Sequence, residues 1–217
     1  MALHRSKHLA LLKPQKANGG SHRVSSSVDA QFQVQSAVLN ELVVYARNYT
    51  KDSRVVLFGH SYGSYISSLS ASQIDIDAIV LTGFTGSFDH FAPFVAGAGF
   101  RVAKLQDPKR WSDLDSGYLT SVDLFAETYV YFKEPYFDRS IAEWSYNAAS
   151  EPFAFGELLS ILNTEINYSN IEAPVFLLQG RYDVSACGGD CVGLMENAAA
   201  LFKGSKSVKF IDNIQAG

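Results

Sequence analysis

The chain has 217 residues, 47% hydrophobic and 18% charged. That balance is too apolar for a disordered tail and large enough for one domain with a real core. Lys and Arg number 18 against 22 Asp and Glu, a net charge of −4, which leaves no basic footprint for a nucleic acid. No apolar stretch approaches the ~20 residues needed to span a bilayer. The basic start Met1–His8 runs into only Leu9-Ala10-Leu11-Leu12, too short for the apolar region of a signal peptide.

Residues 1–28 are polar and punctuated by Gly19-Gly20-Ser21 and Ser25-Ser26-Ser27, a loop signature. From Asp29, a suitable N-cap, the pattern turns helical. Val34, Val38, Leu42 and Tyr45 recur in steps of three and four and predict one apolar stripe over 30–48. Val55-Val56-Leu57-Phe58 is short, apolar and ended by Gly59, which predicts a strand covered on both faces. A helix of small residues over 62–72 and a second buried strand over 78–81 follow. More than half of the chain's Phe, Tyr and Trp residues, 17 of 28, then fall between Phe84 and Phe155. They form helical patches separated by Gly and Pro; Asp138 would cap a helix holding Ile141 and Trp144, and 156–162 predicts another. Pro174–Leu178 reads as a third buried strand, with Pro at its first residue. Residues 195–202 read as a helix and 208–211 as a fourth strand.

Strands alternating with helices predict an α/β fold with a mostly parallel sheet, helices on both faces and right-handed crossovers. The stretch between the second and third strands is too long for a connection. It reads as an inserted helical, aromatic-rich cap over 84–165, with 1–83 and 166–217 forming the core.

The first strand runs into Gly59-His60-Ser61-Tyr62-Gly63 and then into a helix, which is G-x-S-x-G in a strand–turn–helix context. So tight a turn holds its central residue in a sparsely populated backbone region, at a cost of ~1–3 kcal/mol. Glycines at 59 and 63 would relieve crowding on either side. Ser61 would then stand above the carboxyl end of the sheet as a nucleophile. The backbone N–H of Tyr62, at the helix N-terminus, would face a developing oxyanion. His60 sits inside the elbow and reads as structural.

The elbow is accompanied by Leu81-Thr82-Gly83-Phe84, Gly117-Tyr118-Leu119, Gly180-Arg181-Tyr182-Asp183 and Cys187-Gly188-Gly189-Asp190-Cys191. Together, over about 29–217, they resemble the α/β-hydrolases that carry a cap, in particular the fungal esterase- and lipase-like members. The resemblance implies a partial α/β-hydrolase fold and a serine hydrolase acting on carboxylic esters through an acyl-enzyme. No cofactor or metal is implied. Gly19-Gly20-Ser21 would correspond to the loop after the family's fourth strand. About four strands usually precede the helix at 30–48, so the chain is expected to be truncated at its front.

A serine nucleophile needs a base and an orienting acid, in the chain order Ser, acid, His for this fold. Asp183 follows an apolar strand on the side where Ser61 should emerge and fits the acid; it equally fits an ordinary loop cap. The histidines are His4, His8, His22, His60 and His90, and none follows Asp183. The expectation is that the catalytic His is missing from this chain, which is cut at its end as well and inactive as it stands. The alternative is a non-catalytic hydrolase-fold protein that binds a ligand. Cys187 and Cys191, the only cysteines, lack the further ligands of a zinc site. Gly188-Gly189 would let them meet as a disulfide in an oxidising compartment, against two free buried thiols; the likeness to secreted relatives favours the disulfide and leaves secretion of a full-length form possible. The expected partner is a small ester with an apolar part, received beneath the aromatic segment.

Overall fold

A computed structural model describes residues 24–50 and 54–217; Gly19-Gly20-Ser21, His4, His8 and His22 lie outside them. In chain order, α1 (Phe32–Thr50) precedes β1 (Val56–His60), α2 (Tyr62–Ala71) and β2 (Ala78–Thr82). There follow α3 (Phe91–Ala98), β3 (Arg101–Val102), α4 (Ala103–Gln106), α5 (Pro108–Trp111) and β4 (Tyr118–Thr120). Next come α6 (Leu124–Tyr131), α7 (Arg139–Trp144) with a π-helical continuation, β5 (Phe153–Ala154) and α8 (Phe155–Leu162). The chain returns to the sheet in β6 (Val175–Gly180), then forms α9 (Val184–Cys187), α10 (Met195–Ala199) and β7 (Val208–Ile214).

β1, β2, β6 and β7 form one sheet in that order, every pair parallel. Val56 pairs with Ala78, Ile79 with Val175, and Val175 with Val208. Because all four strands run the same way, Ser61, Gly83 and Arg181 emerge along one rim. The alternate side chains Leu57, Ile79, Leu81, Val175 and Leu177 are buried against Ile66, Leu69, Met195 and Phe202, so α2 and α10 cover this face. Burying each such side chain contributes roughly 1.5–3 kcal/mol. The opposite face is open at β1, where Val56 is 56% and Phe58 64% exposed. β1, expected to be covered on both faces, is therefore covered on one. Among the described residues it is an edge strand, and no element packs on its second side.

α1 forms where the periodicity predicts but buries a different stripe. Phe32, Gln35, Ser36, Val43 and Ala46 face inward, while Val34, Val38 and Tyr45 are exposed. The inward stripe contains two polar residues, which hides it from an apolar count. The Gln35 amide donates to Glu157 on α8, so its burial leaves that amide partnered. Asp29 is not the cap: it accepts from Ser25 N–H at 3.0 Å in the preceding turn. The Phe32 N–H is instead taken by Ser160 Oγ at 2.8 Å, from a residue far along the chain.

To the helices expected over 84–165 the structure adds a small antiparallel sheet, β3-β4-β5. Two of its strands are two residues long, too short for alternation to register in sequence. Ala30, Ala103, Trp111, Leu114, Tyr118 and Ala154 form a separate core there. Residues 24–31 cross this segment as a strap. Asp115 accepts from Ser26 N–H at 2.9 Å and Ser26 Oγ at 2.5 Å, and Tyr118 Oη donates to Val24 O at 3.1 Å. Burial works against the Asp115 charge. The Ser26 hydroxyl, the Ser26 and Gly117 N–H groups and Lys104 outweigh it, holding the carboxyl below its ordinary value. No helix among the described residues is long and apolar enough to cross a membrane.

Candidate active site

Ser61 has φ 50° and ψ −122°, and it is the one non-glycine residue with positive φ among the described residues. A Cβ resists this conformation, the mirror image of an extended strand. Hydrogen bonds across the top of the sheet hold it. Ser61 N–H donates to Thr82 O at 2.8 Å, and Ser64 N–H to Ser61 O at 2.8 Å. Ser64 Oγ donates to Thr82 O at 2.8 Å and accepts from Thr82 N–H at 3.2 Å.

Gly59 is required by contact, since a Cβ there would lie 2.5 Å from Gly63 O and 2.6 Å from Ser64 Cα. Gly63 is not: nothing lies within 4 Å of its would-be Cβ. The expectation that both glycines relieve a clash holds only at Gly59, and Gly63 supplies the backbone that Gly59 must clear.

Ser61 lies on the wall of a cavity of about 160 Å³. Tyr62 is the first residue of α2, so its N–H has no acceptor within the helix. The Tyr62 phenol is also on this wall, its oxygen buried without a partner among the described residues. Burial, and then the Glu157 carboxylate, push that phenol's pKa up. Glu151 lines the cavity too, with one carboxylate oxygen buried and unpartnered among the described residues. Rings from the 84–165 segment complete the wall, chiefly Phe88, Phe91, Phe94, Tyr131 and Phe153, together with Ala30 of the strap. None of these could be named from sequence; the concentration of aromatic residues between Phe84 and Phe155 was their only signal.

Asp183 lies past the end of β6 on the same rim, buried, and it caps α9. One carboxylate oxygen accepts from Ala186 N–H and Ser185 Oγ, both at 2.8 Å. The other accepts from Gln179 Nε2 at 3.0 Å. Ser185 and Ala186 line the cavity together with Ser61. Tyr65, also on that wall, has its pKa raised first by burial and then by the nearby Asp183 charge. Ser61, Tyr62 and the helix capped by Asp183 therefore surround one space.

Gln179 is fully buried, and its Oε1 accepts from Phe84 N–H at 2.8 Å, so one amide ties Asp183 to the start of the aromatic segment. Sequence reasoning missed it. The available signal was a polar residue in phase with the inward Val175 and Leu177.

His60 Nδ1 lies 2.7 Å from Thr82 Oγ1. The His90 ring lies against Gly188, with Nδ1 2.8 Å from where a Cβ would sit. The sulfur atoms of Cys187 and Cys191 are 2.04 Å apart, as a disulfide, with Cα atoms at 5.0 Å. Gly188 and Gly189, at φ 69° and 99°, turn this loop, and Gly189 N–H donates to Asp183 O at 2.9 Å. The loop is thus tied to the backbone of Asp183.

Residues 15–92 match the sequence profile of a family described as Alpha/beta hydrolase. No curated protein sequence matches the chain. Among solved structures it is similar to a hydrolase from Pseudomonas aeruginosa PA01, at 16% identity over 82% of this chain and 64% of that one, with a TM-score of 0.52. It is similar to a monoacylglycerol lipase from Paleococcus ferrophilus, at 14% identity over 87% and 67%, with a TM-score of 0.54. A third likeness is to MenH from S. aureus, at 17% identity over 88% and 70%, with a TM-score of 0.51. The chain spans 64% of the length of the Pseudomonas hydrolase. At these identities the likeness is one of fold.

Proposed function

This chain is an α/β hydrolase by fold, and on that premise we propose that it derives from a serine hydrolase of carboxylic esters working through an acyl-enzyme. The observation that carries the reading is the positive φ of Ser61 on the wall of a ring-lined cavity. Strain of ~1–3 kcal/mol held on one serine has a use when its hydroxyl must stand clear of the turn. In the proposed reaction Ser61 Oγ bonds to the ester carbonyl carbon while its proton passes to an imidazole base. The carbonyl oxygen, now negative, accepts from Tyr62 N–H at the positive end of α2. The bond to the alcohol oxygen breaks as the imidazolium returns the proton to it. Water then repeats the sequence on the acyl-Ser61 ester and releases the acid.

Asp183 is proposed to orient that base. Its three hydrogen bonds leave about one of a carboxylate's roughly four acceptor sites for an imidazole N–H. The base is proposed to lie outside these 217 residues, because no His follows Asp183. Loss of such a base lowers turnover ~10⁶-fold, so the 217-residue chain alone should show no Ser61-dependent hydrolysis of an activated ester. The capping role of Asp183 favours a second reading, a non-catalytic fold that binds ligands in the same cavity.

An alkyl fluorophosphonate, offered with and without free imidazole as a substitute base, tests the first reading by peptide mass mapping. Labelling of Ser61 that rises with imidazole and disappears in Ser61→Ala is expected. An unlabelled Ser61 under both conditions leaves the binding reading in its place.

A further inference from the structure

The rings on the cavity wall are in contact with one another as a continuous series. Tyr65 stacks on Phe88 with centroids 4.8 Å apart, and Phe88 meets Phe91 at 6.2 Å and 89°. Phe91 meets Phe94 at 5.6 Å, and Phe94 meets Tyr131 edge-on at 5.9 Å. Behind the wall Phe100 links Phe94, at 5.8 Å, to Phe153, at 4.6 Å. The series joins Tyr65, four residues after Ser61 in the chain, to Tyr131 and Phe153, all of them on the cavity wall.

A wall of Leu and Ile would hold any apolar group in proportion to the area it covers. A wall of rings does more, because each ring has a negative face and a positive edge, and a guest ring gains offset or edge-on contacts that a saturated guest lacks. Size agrees: the cavity of about 160 Å³ is close to the ~150 Å³ apolar cavity that takes up one benzene. The Glu151 and Glu157 carboxylates on the wall disfavour an anionic guest.

We propose that this cavity receives a single aromatic ring of an uncharged ester, which makes aryl-bearing carboxylic esters the substrate class. That ester identity rests on the proposed role of Ser61; the preference for a ring does not.

Titration calorimetry on the 217-residue chain carrying Ser61→Ala separates the two, using methyl 3-phenylpropanoate and methyl 3-cyclohexylpropanoate. The saturated ring buries at least as much apolar area, so area alone favours it or neither. The phenyl ester is expected to bind about two- to tenfold more tightly. Phe94→Leu, which removes the ring at the centre of the series and keeps the site apolar, should erase that preference and leave cyclohexyl affinity within about twofold. Equal or tighter cyclohexyl binding, no binding of either ester, or Phe94→Leu weakening both alike would overturn the inference. A phosphonate-labelled Ser61 with no ring preference sinks this inference alone, and a ring preference with an unlabelled Ser61 sinks only the hydrolytic reading.

Discussion

At Ser61 the backbone occupies a region that glycine enters freely and serine does not. Ser61→Gly should therefore raise stability by about 1 kcal/mol, seen as a melting temperature higher by ~2–4 °C, whereas Ser61→Ala should leave it nearly unchanged. The two flanking glycines should separate just as clearly. Gly59→Ala pushes a methyl into the Gly63 carbonyl and should give little folded protein. Gly63→Ala meets open space inside a helix and should be neutral or stabilising by up to about 1 kcal/mol in urea titration. The strand–turn–helix around Ser61 was legible in sequence because its demand is local, all within a few residues. The unequal needs of Gly59 and Gly63 were not, since they depend on which backbone crosses which. Asp183 could be placed from the strand before it, but its three hydrogen bonds could not, because Gln179 reads in sequence as just another strand residue.

Among the elements, α1 shows why periodicity fixes a helix more surely than its face. The inward stripe includes the polar Gln35 because α8 brings Glu157 to meet its amide, a partner no local window contains. The strap over 24–31 depends likewise on distant residues, and its anchor makes it sensitive to acid. Asp115 titrates below its ordinary value of 3.8 when folded. Its contribution is thus present above that value and lost as pH falls through the folded one. The melting temperature of Asp115→Asn should fall short of the parent at neutral pH, and the gap should close as pH drops below 3.8. The Cys187–Cys191 bridge closes a loop of sequence separation 4. A loop that short is worth about 2 kcal/mol in the chain-entropy account, so Cys191→Ala should melt ~4–8 °C lower than the oxidised parent.

Over the whole molecule, the parallel sheet could be read from four apolar runs alternating with helical segments, and it appears in the order β1-β2-β6-β7. What covers each face could not be read, because an apolar strand residue carries no mark of the neighbour it will meet. The exposed Val56 and Phe58 of β1 and Ile211 of β7, at opposite ends of the strand order, lie on one side of that sheet, and among the described residues β1 is an edge strand. Such a surface associates in water. Sedimentation should show concentration-dependent self-association that Phe58→Lys reduces without lowering the melting temperature. The strap adds a consequence in time. Ser26 is joined to Asp115 across a separation of 89 residues, a stretch that takes a ribosome about 4–18 s to synthesise at 5–20 residues per second. Throughout that interval the strap over 24–31 lacks its partners Asp115 and Tyr118, so it stays undocked until they are made, and slowing translation prolongs its exposure to chaperones and proteases.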